Sequence, residues 1–266
     1  MVFNQIKCFF KQRIREDMII LKTPEQIEII DEANRIVHKV LDEVESRISI
    51  GATTRELDEA AERLVREFDA EPAFKGYAGY PSSLCVSIND EIVHGIPGDR
   101  IIQNGDIVGI DFGAIYKGYV GDAARTIVVG DVSENIIDLV HHTQLALIEG
   151  LNRMSPSHML FDISEAIAAV AKEHNYGNIK NFCGHGIGAK MHEDPKVFNY
   201  INTQETNVHL QEGMVLALEP MFTLGGDDAE VLEDGWTAVT SDGTPAAHWE
   251  YSVVVTKDGP RVLGVH

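Results

Sequence analysis

Residues 106–129 read DIVGIDFGAIYKGYVGDAARTIVV. Two runs rich in β-branched and aromatic residues, Asp106–Phe112 and Tyr119–Val129, flank a glycine-bearing segment from Gly113 to Gly118, and that pattern predicts two strands joined by a turn. Asp111 interrupts an otherwise apolar run, where a carboxylate is costly to bury unless it is paired or holds a metal. If the strands form a hairpin, Asp111 and Asp122 can approach one point from neighbouring strands. The other reading makes Asp122 a turn cap and leaves Asp111 exposed on a sheet edge.

The same strand signature recurs further along at Leu84–Ile88, Met214–Leu218, Trp236–Val239 and Trp249–Thr256. Between these segments the period changes to that of helices. Thr23-Pro24 opens a run apolar at Ile27, Ile30, Ala33, Ile36, Val37, Val40, Leu41 and Val44, with threonine as cap and proline at the first helical position. A second helix opens in Gly51-Ala-Thr-Thr-Arg-Glu-Leu and presents Leu57, Ala60, Ala61, Leu64, Val65 and Phe68. Two more span about 133–153 and 160–174. Helix pairs alternating with strands predict an α+β fold of two similar halves, each a helix pair on an antiparallel sheet. No Pro/Gly/Ser-rich linker divides the halves, so residues 18–266 are expected to form one catalytic domain.

Composition narrows the function. The 266 residues carry 42 acidic and 22 basic side chains, a formal charge of −20, which argues against a nucleic-acid surface. Cys8, Cys85 and Cys183 are sparse and widely spaced, as expected in a reducing compartment. No apolar run is long enough to span a membrane, and the short patch near Cys8 does not make a signal peptide, so a cytoplasmic protein is expected.

Three further segments carry unusual polar residues. His185 sits in CGHGIG, seven residues before His192, and His94 lies in EIVHGIP. A lone histidine is more often a satisfied structural residue, and the glycine-rich segment has no lysine and hydroxyl residue to make it a phosphate loop. Glu219 follows five apolar residues in VLALEPM, and Glu250 heads the apolar strand in HWEYSVVVT. Basic side chains near both are scarce, which points to metal as the counter-charge. Asp111, Asp122, Glu219 and Glu250 balance two divalent ions, and His185 adds a neutral nitrogen. Oxygen ligands with one imidazole suit Mn²⁺, Fe²⁺ or Co²⁺, and Zn²⁺ is compatible. Two such ions sharing a water support hydrolysis, with His94 and His192 as hydrogen-bond partners for a substrate amide.

In this order, the segments MIILKTPEQIEI, GATTRELD, GYAGYPSSLCVSIND, EIVHGIP, DFGAIYKGYVGDAARTIVVG, CGHGIGAKMHEDP, LALEPMF, DGWTAVT and HWEYSVVVT resemble type I methionine aminopeptidase from Met18 to about Leu263. The resemblance implies the pita-bread fold, two pseudo-symmetric α+β halves around a dinuclear metal site. It implies metal ligation by Asp111, Asp122, His185, Glu219 and Glu250, with Asp122 and Glu250 bridging and Glu219 doubling as general base. His94 would contact the scissile amide nitrogen and His192 the carbonyl oxygen. The methionine side chain would enter a pocket of Tyr77, Tyr80, Cys85, Met191 and Trp236. The implied substrates are nascent polypeptide N-termini with a small second residue.

Several positions depart from the family pattern: Phe74 where cysteine is frequent, Ala78 for histidine, Met191 for phenylalanine, and His248 and Tyr251 around Glu250 for glutamine and histidine. These touch the pocket and its surroundings, not the implied ligands. Residues 1–17 have no family counterpart and read either as an artefact of a start truly at Met18 or as a basic tail aiding transient docking on the ribosome. A monomer is expected. Xaa-Pro aminopeptidases and prolidases share the five ligands but usually carry a further N-terminal domain. A non-catalytic binding protein of this fold would lack ligands and carry basic surfaces.

Overall fold

Thr23 starts the first helix by a reciprocal cap: its hydroxyl accepts from Gln26 N at 3.3 Å, and Gln26 Oε1 accepts from Thr23 N at 2.9 Å. Two of the helix's otherwise unpartnered N–H groups are thereby satisfied. Helix α1 then runs Pro24–Arg47. Helix α2, Thr54–Glu67, repeats the device with Thr53 and Glu56. Helices α3, Glu134–Leu151, and α4, Leu160–His174, form the second pair. The computed structural model describes residues 19–265; the 1–17 extension, Cys8 and the alternative start at Met18 lie outside the described residues. Among the described residues no helix is long and apolar enough to cross a membrane.

The strands are β1 Glu71–Pro72, β2 Leu84–Ile88, β3 Glu91–Val93, β4 Ile107–Tyr116, β5 Tyr119–Val128, β6 Gly177–Asn178, β7 Gly184–Gly186 and β8 Glu193–Val197. They continue with β9 Val215–Leu218, β10 Met221–Thr223, β11 Ala229–Val231, β12 Ala238–Thr240, β13 Ala246–His248, β14 Glu250–Thr256 and β15 Gly259–Val262. The main sheet runs β1-β4-β5-β14-β9-β7-β8, with β2 also on β4 and β15 also on β14. Its described pairings are all antiparallel. Two three-stranded sheets, β13-β10-β6 and β11-β12-β3, complete the set.

Each helix pair covers one half of the same sheet face. Val37, Val40, Leu41, Leu57 and Val65 pack on Ile110, Phe112 and Ala123. Leu147, Leu160, Ile163 and Ile167 pack on Leu216, Leu218, Val253 and Val255. Burying these side chains is the main stabilising term for each half. The arrangement is the curled α+β sheet of the pita-bread fold.

The structure corrects the expected hairpin. The turn is only Lys117-Gly118, both at positive φ (48° and 79°), as a two-residue hairpin turn requires. Gly113 to Tyr116 therefore belong to β4 and pair with Tyr119 to Asp122. Strand position 113 is glycine because a Cβ there would meet Phe74 Cε1 at 2.8 Å and Met191 Cε at 3.0 Å. The glycine-flanked His185 is also in a strand, β7. Added Cβ atoms would lie 2.3 Å from Ala217 O at Gly184 and 2.3 Å from Asp194 O at Gly186, so both glycines mark close backbone approach. The strand expected at Trp236–Val239 begins at Ala238. Trp236 and Thr237 instead donate their backbone N–H groups to Asp234 in the preceding turn.

Candidate metal centre

Ladder register brings the five acid and imidazole candidates together. Residues directly opposite in a ladder share a sheet face, and so do residues two apart on one strand. Asp111 is opposite Ala124, and Asp122 is two residues back on the same strand. Glu250 is opposite Ala124 from the other side. Tyr251 pairs with Leu218, so Glu250 and Glu219 meet on the next rung, and Ala217 opposite His185 continues the row. All five therefore occupy the face opposite the helices, on strands β4, β5, β14 and β7 and, for Glu219, just past the end of β9. Asp111 is on an interior strand, which removes the edge-exposed alternative.

The backbone around these residues is fixed by side chains from elsewhere in the chain. Asn34 Oδ1 accepts from Asp122 N at 3.1 Å, and Ser252 Oγ donates to Asp122 O at 2.9 Å. Gly121 permits the first contact, since a Cβ there would meet Asn34 N at 2.6 Å. Thr126 Oγ1 donates to His248 O at 2.7 Å and accepts from His248 N at 2.9 Å, tying β5 to the approach to Glu250. Asn199 Nδ2 donates to Glu219 O at 2.9 Å.

Electrostatics identify what the cluster is for. Asp122, Glu250 and His185 are buried, and each offers an atom within 4.8 Å of the others. Asp111 and Glu219 keep some surface and define the open side. Burial raises all four carboxyl groups above their ordinary range, Asp111 to about 7. Mutual repulsion adds to this: Glu250 and then Asp111 act on Asp122, and Asp111 and then Asp122 act on Glu219. Asp111 Oδ1, Asp122 Oδ1 and Glu250 Oε1 are buried without a hydrogen-bond partner, a costly state that a cation would relieve.

His185 adds an independent test. Its Nδ1 faces Gly186 O at 2.9 Å, and a carbonyl only accepts, so Nδ1 carries the proton. Burial and His192 hold the ring neutral, its acid range lowered to about 3. The Nε2 lone pair therefore faces Glu219 Oε1 at 3.8 Å and Asp122 Oδ2 at 4.0 Å. A neutral imidazole nitrogen converging with two carboxyl groups fits a divalent ion, which would displace their protons, and the carbonyl bond to Nδ1 is the usual orienting contact of a ligating histidine.

The remaining candidates lie around this floor. Cys85 is opposite Asp111 in the ladder and is buried with Tyr80, whose hydroxyl donates to Gly95 O at 2.9 Å. Tyr80 meets Trp236 edge-on at 5.2 Å, and His94 meets Trp236 at 6.4 Å. His94 takes a left-handed backbone, φ 61°, and burial followed by His192 lowers its acid range to about 4. Tyr77 stands apart from the Tyr80–Trp236 group. It is exposed and bonds His192 through its hydroxyl, Oη to Nδ1, at 2.7 Å. Met191 is buried beside Phe74 above Gly113, so these two departures from the family pattern form one shared contact. Ala78 is exposed at φ 47°, and Tyr251 points to the helix side against His38.

The reading of the sequence misses Phe182 and gives His248 no role beyond a departure beside Glu250. Phe182 meets the His94 ring edge-on at 5.5 Å. His248 is buried, its Nε2 unpartnered and 3.9 Å from Glu219 Oε2. The two-residue spacing of His248 and Glu250 is the available signal for a shared side.

The profile of metallopeptidase family M24 matches residues 28–257. Methionine aminopeptidase 1 of Bacillus subtilis (strain 168) is 42% identical over 246 residues, spanning 92% of this chain and 99% of its own length. The chain belongs to the methionine aminopeptidases of this family. The methionine aminopeptidase of Clostridium acetobutylicum is 41% identical over 247 residues, 92% of this chain and 98% of its own. Among solved structures, the Thermotoga maritima methionine aminopeptidase superimposes with a TM-score of 0.91 at 39% identity, covering 94% of this chain and 100% of that one. The prolidase of Pyrococcus horikoshii gives a TM-score of 0.77 at 27% identity, with 94% of this chain covering only 64% of the longer enzyme.

Proposed function

We propose that this protein removes the initiator methionine from newly made polypeptides, preferring a small second residue. The reading is supported by the end-to-end match to methionine aminopeptidases, at 42% identity and 99% of the relative's length. Asp111, Asp122, His185, Glu219 and Glu250 are the proposed metal ligands and would together hold two divalent ions. Mn²⁺, Fe²⁺ and Co²⁺ suit this set best. Residues 18–266 form the proposed catalytic domain.

When bound, the ions supply Lewis-acid polarisation and an activated water. The protein's own groups do the rest. Glu219, accessible on the open side, takes the proton from the attacking water. A neutral His94 stands ready to hydrogen-bond the scissile amide. Partial burial raises the acid range of Tyr77, so its hydroxyl keeps its proton. With Tyr77 Oη donating to His192 Nδ1, the second ring nitrogen bears the hydrogen that stabilises charge developing on the carbonyl oxygen. Tyr77, Tyr80, Cys85, Met191 and Trp236 form the proposed methionine pocket, where a thioether gains dispersion against aromatic and sulfur atoms.

The test is cleavage of Met-Ala-Ser against Xaa-Pro peptides by manganese-loaded enzyme. Strong release of methionine, lost on chelation, is expected. Preferential Xaa-Pro cleavage would refute the substrate assignment.

A further inference from the structure

His192 and Met191 lie between β7 and β8, in a connection too short to contain regular structure. His192 is exposed, so packing alone does not fix its ring over the centre. What holds this connection is a charged pair at its base. Lys22 Nζ meets Glu193 Oε2 at 2.6 Å, with side-chain exposures of 4% and 5%. Surface ion pairs of this protein, such as Arg55 with Asp99, are far more open. A buried pair with good geometry is strongly directional, and losing one partner strands the other charge.

Both partners make further bonds. Lys22 Nζ also donates to Ile20 O at 2.8 Å, and Lys22 N donates to Gly213 O at 2.8 Å, just before β9. The other oxygen of Glu193 accepts from Lys190 N at 3.1 Å, which closes the 190–193 turn around the carboxylate. At Gly188 an added Cβ would lie 2.3 Å from Lys22 Cε and 2.8 Å from Glu193 Oε1. Its missing side chain lets the connection fold down onto the pair. Gly188 O in turn accepts from Val120 N at 2.8 Å, near Asp122.

From these contacts we infer that Lys22, through Glu193, is a positioning residue for His192. The ion pair holds the backbone that leads into Met191-His192, while the Tyr77 hydroxyl holds the His192 ring itself through Nδ1. The inference rests on the proposed role of His192 in the reaction. Lys22 touches no reacting atom; it sets the height and direction of the imidazole.

The test is a double-mutant cycle on manganese-loaded full-length enzyme with Met-Ala-Ser. Lys22→Met is expected to lower kcat roughly 10- to 100-fold, the scale of a misplaced catalytic group, with KM and bound metal little changed. In a His192→Ala background the same substitution is expected to change kcat by less than about twofold, because interacting residues are not additive. Should Lys22→Met fold poorly, Lys22→Met with Glu193→Gln removes both charges together and is expected to show the same dependence on His192. A Lys22 effect that multiplies undiminished on His192→Ala overturns the inference alone. Wild-type turnover in His192→Ala overturns the assignment of His192 and this inference with it.

Discussion

Replacing Asp111 with asparagine should abolish activity and yet stabilise the metal-free protein at neutral pH. In the unfolded chain Asp111 titrates near 3.8, whereas burial raises it to about 7 in the folded protein. Below 3.8 both states are protonated and no penalty exists. Between 3.8 and about 7 the unfolded chain releases its proton while the folded chain keeps it, so stability is lost as pH rises through this window. At about 1.4 kcal/mol per pH unit the loss is on the order of 4 kcal/mol, complete above about pH 7. For a protein of this size, roughly 2 to 4 °C of melting temperature per kcal/mol makes this about 10 °C. The asparagine side chain has no charge to lose. The assay is thermal unfolding of wild type and Asp111→Asn from about pH 5 to 8, with chelator and with excess Mn²⁺. With chelator the variant should gain on wild type from pH 5 to about 7, exceed it there and hold a constant lead above; with Mn²⁺ the order should reverse. Equal melting temperatures at every pH in chelator would refute the claim that the carboxylate is held at an energetic cost by its surroundings.

Other substitutions probe separate parts of the centre. His94→Ala should retain its metal and lose turnover by roughly 10²- to 10³-fold, the scale of one lost transition-state hydrogen bond; unchanged kcat would remove His94 from the reaction. Gly113→Ala adds a Cβ against the movable ends of Phe74 and Met191, at 2.8 and 3.0 Å, so KM for methionyl peptides should rise while metal content holds, as kinetics and metal analysis would show. Gly121→Ala instead meets helix backbone, 2.6 Å from Asn34 N and 2.7 Å from Ala33 C. Overpacking of roughly 1 to 3 kcal/mol is expected there, read as a lowered melting temperature in both metal-free and metal-loaded protein.

Three of the proposed ligands are visible in the sequence because each breaks a local rule. Asp111 interrupts an apolar run, and Glu219 and Glu250 border apolar runs where cations are scarce, inconsistencies local enough to detect. The helix starts at Thr23 and Thr53 are legible for the same reason, since cap and partner lie three residues apart. Adjacency is not legible. The insertion of β14 between β5 and β9 depends on the pairing of Glu250 with Ala124, residues so far apart in the chain that no periodicity links them. The hairpin turn reads too long because Gly113 looks like a turn residue, when its role is to leave space for Phe74 and Met191. Short strands such as Gly184–Gly186 carry too few residues to show alternation. Glu193 is hidden for a further reason: its partner Lys22 is 171 residues away and looks like the lead-in to a helix.

The place of β14 has a consequence for how the protein is made. Asp111 and Asp122 leave the ribosome on one hairpin, and His185 and Glu219 follow on separate strands. Glu250 arrives later, at the head of the strand that joins those two groups. Until then β5 and β9 each present an unpaired edge, and the carboxylates have no common centre. An enzyme whose substrates are other proteins' first residues therefore stays inert until its own synthesis has passed β14. Chains cut short before residue 250 should bind metal weakly and, with two exposed edges, be prone to aggregate.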